Sequence, residues 1–373
     1  MAQTWRVTPA KVAVFRLIDA LALPLRPFVR TSSPRGEVRS ILVMEPWHIG
    51  DVVLATPALR ALRERFPDAR LSLLGKSHAE EILRHSGLVD EVIVFDLPWT
   101  SKTAKYAPGR YDIGALKDLI AQLRSRQFDL TVDARMDLRS NVVTYLTGAP
   151  RRIGYDFGGG SFLLTDRIPA DPDKRHRVDD WLELLKPLGI TDTFEPLLRV
   201  TDLERSQAAA TLASHGIVPG DTVVAIHGGA SDPRRQWPEE NYERVATRLT
   251  AASGARIVYF PEPDHASREV SFASATIRCS LREMMAILTH CRLVVCNDSG
   301  PMHIADALDV PVVAVFLTGN PVWHRPYRAG QKAVGQGTGH DFLVAPTIEE
   351  VIAAAESQLS RVVSTSRVPL HSR

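Results

Sequence analysis

The sequence lacks the features that mark several common classes of protein. No apolar run approaches the roughly 20 residues that a membrane-spanning helix needs. There are only three cysteines and no CxxC pair, so we predict neither a metal site nor a disulfide framework, and the cytoplasm is the expected compartment. The net charge of +2 over 373 residues is too small to indicate nucleic-acid binding. Neither GxGxxG nor GxxxxGK[ST] occurs, which argues against nicotinamide and P-loop chemistry.

What the chain does contain is an alternation of short apolar runs with amphipathic helical stretches, and this alternation occurs twice. Ser40–Met44 is the first predicted strand of one series, and Thr222–Ile226 is the first of the other. The repeat predicts an α/β protein with two Rossmann-like, doubly wound domains that face each other across a cleft. We expect a basic amphipathic N-terminal segment with its linker at 1–39, domains at 40–200 and 201–360, and a polar, disordered tail at 361–373.

The most informative stretch is 292–316, which predicts a strand, a turn, a short helix and a second strand. The turn Asn297–Pro301 offers backbone N–H groups at a helix start together with the side chains of Asp298 and Ser299, and His303 follows within one turn. Open α/β sheets bind ligands at the carboxyl ends of their strands, and a helix amino terminus suits a phosphate. Simple helix capping by Asp298 and Ser299 explains the same residues equally well.

A second polar loop, Glu45–Asp51, follows the first strand. Gly50 permits close backbone approach, and Asp51 stands at the start of the next helix, where it either faces a ligand or serves as a helix cap. In the second half, Gly229, Ala230 and Ser231 form a small-residue loop that allows close approach to a phosphate.

The N-terminal stretch Lys11–Leu23 predicts an amphipathic helix in a basic segment. Two interpretations remain open for it. The helix either packs on the first domain or lies on an anionic membrane surface.

Six stretches in order resemble glycosyltransferase family 9, the heptosyltransferase family of lipopolysaccharide core assembly, over roughly residues 40–320. They are ILVMEPWHIGDVVLATPALRALRERFPDA, DLRSN, RRIGY, HRVDDWLELLKPLGI, HGGASDPRRQWPEENY and CRLVVCNDSGPMHIADALDVPVVAVF. The resemblance implies the GT-B architecture. It also implies inverting transfer of a sugar, with heptose from an ADP-activated donor expected first, without a metal or other cofactor. The implied partners are the nucleotide sugar and a glycan or glycolipid acceptor. The basic N-terminal segment leaves peripheral contact at the inner membrane surface open, and the small net charge predicts no nucleic-acid partner.

The resemblance also implies roles for individual residues. Asp51 falls on the family's general base, and Arg235 falls on its diphosphate-binding cation. The implied donor-binding residues are Gly229, Ala230, Ser231, Arg235, Asp264, Asp298, Ser299, Gly300 and His303. The expected acceptor-binding residues are Trp47, His48, Gly50, Arg135 and Arg139.

Glu45 departs from the family, which usually has Arg or Lys six residues before the aspartate, so an acceptor other than the usual acidic core is also open. Two further alternatives share the fold. One is a non-catalytic protein that binds nucleotide sugars, and the other is an epimerase that acts without an acceptor. A transferase with another donor or a small-molecule acceptor is also compatible with the pattern.

Overall fold

The computed structural model describes residues 9–22, 24, 29, 37–100, 111–171, 175–262, 270–318, 320–335 and 344–365. The chain divides into two compact units, a first of residues 3–195 and a second that begins at Pro196. The division falls slightly before the boundary at 200 that the sequence predicts.

The first unit is a six-stranded, wholly parallel sheet with the order β3-β2-β1-β4-β5-β6. Its apolar strand residues are almost all buried, as expected for parallel strands covered by helices on both faces. The strands are β1 (Ser40–Met44), β2 (Arg70–Gly75), β3 (Glu91–Val94), β4 (Leu130–Asp133), β5 (Arg151–Tyr155) and β6 (Asp166–Ile168). The helices are α1 (Pro9–Ala22), α2 (Ile49–Arg65), α3 (Ser77–Leu83), α4 (Ile113–Ser125), α5 (Leu138–Leu146) and α6 (Arg177–Glu183).

The second unit repeats this topology with the order β12-β11-β10-β7-β8-β9, again wholly parallel. The strands are β7 (Val223–His227), β8 (Arg256–Tyr259), β9 (Ala275–Thr276), β10 (Leu293–Asn297), β11 (Val312–Val315) and β12 (Lys332–Val334). The helices are α7 (Asp202–Ser214), α8 (Glu239–Ser253), α9 (Leu281–Leu288), α10 (Gly300–Ala307), α11 (Pro321–His324) and α12 (Ile348–Thr365). Two Rossmann-like domains are therefore present, as the sequence predicts.

The strand order fixes where each unit can bind a ligand. The order reverses between β1 and β4 in the first sheet and between β7 and β10 in the second, and ligands bind beside such reversals at the carboxyl ends of the strands. Register places Met44 opposite Asp133, and it places Cys296 opposite His227. The residues that follow these pairs therefore emerge side by side.

Two sequence expectations need correction or restriction. The tail predicted at 361–373 begins inside a helix, because α12 continues to Thr365. The predicted donor residue Asp264 lies outside the described residues. No helix in the described part of the chain is long and apolar enough to cross a bilayer.

Candidate functional site

Arg135 connects the loops that leave β1 and β4. Its Nη2 lies 2.5 Å from Glu45 Oε1 and 2.8 Å from Asp51 Oδ1, and its guanidinium stands 4.8 Å from the centre of the Trp47 ring. Arg135 reaches these groups because Met44 and Asp133 are paired in the sheet, so that the two loops start next to each other. The structure thus brings together three predicted site residues, Trp47, Asp51 and Arg135.

Glu45 was noted in the sequence only as a departure from the family, and the structure gives it a partner. Arg135, in the loop that follows β4, places its guanidinium beside the Glu45 carboxyl group. Glu45 is completely buried, and burial raises the pKa of its carboxyl group to about 7 against the opposing charges of Arg135 and Arg177. The nearby negative charge of Asp51 raises it further.

Asp133, at the end of β4, is a second buried carboxyl group beside Glu45 and Arg135. One of its oxygens, Oδ1, accepts a hydrogen bond from the backbone N–H of Arg135 at 2.7 Å, which shapes the loop. Burial raises the pKa of Asp133 to about 8. No sequence pattern marks Asp133 as functional, because a lone acidic residue at the end of an apolar run is also typical of a turn.

The other predicted acceptor residues lie in the same loops. Gly50 is in the first turn of α2, and His48 precedes that helix, with its backbone N–H donating to Asp51 Oδ2 at 3.2 Å. Arg139, in the first turn of α5, makes a two-pronged pair with Asp137, at 2.9 and 2.5 Å. Its guanidinium also lies 5.6 Å from the centre of the Trp99 ring. Arg135 and Arg139 are therefore both paired with carboxylates in this unit.

In the second unit, Asn297 joins the ends of β10 and β7. Its side chain is buried, and its Oδ1 accepts hydrogen bonds from Trp237 N at 3.1 Å and from the Tyr242 hydroxyl at 2.7 Å. Its Nδ2 donates to the carbonyl oxygen of Gly228. Sequence reasoning placed Asn297 only in a turn, yet this side chain fixes the loop that carries the predicted donor residues.

Arg235 and Asp298 form an ion pair with 3.1 Å between Nη1 and Oδ2. Asp298 is only 4% exposed, whereas the Arg235 side chain is 37% exposed and open to a ligand. Ser299 precedes the amino end of α10, Gly300 is its first residue, and His303 lies buried in the same helix. A helix amino terminus beside a guanidinium is an arrangement that suits phosphate oxygens.

A cavity of about 310 Å³ opens in the same unit, between the loops after β7 and β8. Its lining includes Gly229, Trp237, Tyr242, Tyr259 and Glu262. Gly229 lies close to the Glu262 side chain, because an added Cβ would be 2.3 Å from Glu262 Cγ. Ala230 accepts a hydrogen bond from the Gln236 side chain at 2.9 Å, whereas Ser231 is exposed at the outer edge of the loop.

Glu262 was not among the predicted site residues, although it follows the second strand of a Rossmann-like unit. In Rossmann-like domains, an acidic residue in that region usually binds the ribose hydroxyls. This position in the chain is the signal that could have identified Glu262. Within the described ranges, no three His, Cys, Asp or Glu side chains are grouped so that they could hold a metal ion.

Comparison with known proteins identifies the family. The sequence profile of glycosyltransferase family 9 (heptosyltransferase) matches residues 116–345. The chain belongs to glycosyltransferase family 9. It is 24% identical over 320 residues to lipopolysaccharide heptosyltransferase 2 of Escherichia coli K12, covering 80% of this chain and 89% of that protein. It is 25% identical over 344 residues to lipopolysaccharide heptosyltransferase 3 of the same organism, covering 83% and 95%.

Solved structures support the fold of this family member. A family 9 glycosyltransferase from Veillonella parvula superposes with a TM-score of 0.74 at 24% identity, covering 88% of this chain and all of that one. The Escherichia coli ADP-heptose heptosyltransferase II gives a TM-score of 0.71 at 22% identity, covering 87% and 99%. The prediction of the GT-B architecture is confirmed, and so is the assignment to the transferases of family 9.

Proposed function

We propose that this enzyme is an inverting heptosyltransferase that moves heptose from ADP-heptose to a hydroxyl group of a lipopolysaccharide core or a related glycoconjugate. The observation that carries the proposal is the Arg235–Asp298 ion pair at the amino end of α10, found in a family 9 chain. The names of the relatives, which are lipopolysaccharide heptosyltransferases, support the choice of donor sugar and acceptor.

On the second unit, the ADP moiety binds at the loop of Gly229 and at the start of α10. Arg235 and the N–H groups at the start of α10 bind the diphosphate and neutralise the charge that develops as it leaves. The loop of Gly229 comes close to the nucleotide, and Glu262 accepts hydrogen bonds from the ribose hydroxyls. Asp298, Ser299 and His303 complete the binding of the diphosphate and the sugar. Asp264 stays a predicted nucleoside contact.

On the first unit, Asp51 acts as the general base. It takes the proton of the acceptor hydroxyl while the oxygen attacks the anomeric carbon from the side opposite the diphosphate, and the configuration at that carbon is inverted. Arg135 holds the Asp51 carboxylate in place. Glu45 competes for the same guanidinium and thereby preserves the basicity of Asp51. Trp47, His48, Gly50 and Arg139 shape the acceptor site.

The leaving-group charge is neutralised in this scheme by protein groups, so the proposal includes transfer without a metal or other cofactor. It also places the enzyme in the cytoplasm, at the inner face of the membrane where the glycolipid acceptor is available.

Purified enzyme with ADP-heptose and a heptose-deficient core glycolipid tests the proposal. We expect ADP release that depends on the acceptor, and NMR of the product should show the anomeric configuration opposite to that of the donor. Conversion of the donor without an acceptor would favour the epimerase alternative. Donor binding without any turnover, across neutral and acidic glycan acceptors, would favour a non-catalytic binding protein.

A further inference from the structure

Helix α1 carries an unusual line of exposed apolar side chains. Val14, Leu17 and Leu21 are 53%, 58% and 71% exposed, and their i, i+3, i+7 spacing puts them on one face of the helix. We call these three residues the α1 stripe. Large apolar side chains that are exposed in a continuous row indicate an interaction surface more often than isolated ones do.

The opposite face of α1 is attached to the first unit. Asp19 Oδ1 accepts a hydrogen bond from Ser161 N, and Asp19 Oδ2 accepts one from Ser161 Oγ, both at 3.1 Å. Phe15 packs against Gly159, where an added Cβ would lie 3.2 Å from the Phe15 ring. These contacts orient the helix with the α1 stripe outward.

The turn that receives α1 belongs to the carboxyl edge of the first sheet. It follows β5, and Gly158 lies so close to the next loop that an added Cβ would be 2.0 Å from the Met136 carbonyl oxygen. The Asn141 side chain donates to the Gly159 carbonyl at 2.8 Å. Met136 adjoins Arg135, which pairs with Asp51, so the α1 stripe is built onto the loops of the acceptor site.

The sequence segment that contains the α1 stripe is basic. In residues 1–30 the acidic side chain of Asp19 is already bonded to Ser161, whereas Arg16 is exposed. The basic residues of this segment are Arg6, Lys11, Arg16, Arg26 and Arg30. An apolar helical face within a basic segment is complementary to a membrane surface that contains anionic lipids.

We propose that the α1 stripe lies in the surface of an anionic lipid membrane and thereby presents the acceptor loops to a membrane-embedded glycolipid. The membrane contact follows from the exposure and charge of α1, and only the identity of the acceptor as a glycolipid rests on the proposed function. A helix of this kind lies along the interface and does not cross the bilayer.

Vesicle flotation with the full chain tests the membrane contact. We expect the enzyme to float with vesicles of phosphatidylcholine and phosphatidylglycerol, to bind vesicles of phosphatidylcholine alone much more weakly, and to be released by high salt. The variant V14Q/L17Q/L21Q keeps good helix formers and should lose most of its flotation. The single variant Arg16→Glu should weaken flotation on the anionic vesicles by several-fold.

The matched control is L203Q/V218Q, because Leu203 and Val218 are 67% and 55% exposed on the second unit. This variant should float like the wild type. Equal flotation of the α1-stripe variant and the wild type would overturn the proposal, and so would a wild type that does not float. A wild type that sediments as a dimer, does not float, and becomes monomeric in the α1-stripe variant would show that a second copy covers the stripe.

Transfer assays separate this proposal from the proposed function. The α1-stripe variant should lose transfer to a glycolipid in vesicles by about the factor by which its flotation falls. It should keep wild-type transfer to the same glycan released from its lipid. Flotation that depends on the stripe, without any transferase activity, would refute the proposed function and leave the membrane contact standing.

Discussion

Arg135 Nη2 lies 2.8 Å from Asp51 Oδ1, and the same nitrogen also contacts Glu45. One guanidinium is thus shared by two carboxylates in a largely buried place. The shared cation keeps Asp51 oriented, and the competition from Glu45 limits how strongly the cation lowers the basicity of Asp51.

Asp51→Asn should reduce the transfer rate by about 100-fold or more, because the amide cannot accept the acceptor proton. The affinity for ADP should stay at the wild-type value, because the proposed ADP site belongs to the second unit. Initial rates together with calorimetric titration of ADP measure both quantities. A variant that loses ADP affinity and keeps its turnover number would disprove the assignment of the base.

Glu45→Gln should change the pH dependence of kcat/KM. Burial raises the pKa of Glu45 to about 7; the charges of Arg135 and Arg177 oppose this rise, and the charge of Asp51 adds to it. In the wild type, Glu45 loses its proton as the pH rises through about 7 and draws Arg135 away from Asp51, which makes Asp51 a better base. The variant resembles the protonated state at every pH, so its rate at pH 8 should fall towards the rate of the wild type at pH 6.

The control for this experiment is Glu64→Gln, because Glu64 is exposed and paired only with Arg60 in the same helix. Its pH profile should match the wild type. If the Glu45 variant also kept the wild-type profile, the competition for Arg135 would have no part in catalysis.

Asp133→Asn should stabilise the protein increasingly as the pH rises. The pKa of Asp133 is raised to about 8 in the folded chain from an ordinary 3.8, so the stability contributed by its proton is complete below pH 3.8 and is lost as the pH rises through 8. An asparagine side chain does not ionise, so the variant does not lose this stability as the pH rises. The free energy of unfolding of the variant should exceed that of the wild type by more than about 1 kcal/mol at pH 9, as measured by urea unfolding.

The comparison at pH 5 is the internal control, because Asp133 is protonated in the folded state there and the difference between the two proteins should be much smaller. A difference that is the same at pH 5 and pH 9 would mean that Asp133 is ionised in the folded protein throughout this range.

Arg235→Ala should weaken ADP binding by about tenfold or more, since it removes a charge-assisted contact with the diphosphate. Arg234→Ala provides a matched control on the neighbouring residue. The Arg234 side chain is 75% exposed and paired with Asp232, so its removal should leave ADP affinity nearly unchanged. Equal losses in the two variants would indicate general electrostatic attraction, and the specific role of Arg235 would be wrong.

The sequence was sufficient for the main architecture because most strands are continuous apolar runs followed by helix-start residues, as in β1 and β10. It did not reveal β6, β9 and β12, which have three, two and three residues. All three strands lie at the edges of their sheets. A run of two or three residues is too short to show a distinct hydrophobic periodicity in the sequence.

The candidate site was predictable only where a motif carries the chemistry along the chain, as in Asp298–Gly300. The contact between Glu45 and Arg135 joins residues that are 90 positions apart, and only the pairing of β1 with β4 brings them together. The role of Asn297 likewise depends on a hydrogen bond to Gly228, 69 positions away. Propensity and local spacing contain no information about such contacts.

The most direct test of the central claim is the binding of ADP, GDP, UDP and dTDP to the purified full chain by calorimetry. The account predicts that ADP binds most tightly and that Arg235→Ala weakens this binding by about tenfold or more. Tighter binding of another nucleotide would contradict the ADP-heptose donor while leaving the family and the fold in place. Absence of binding to all four would contradict the proposed donor site itself.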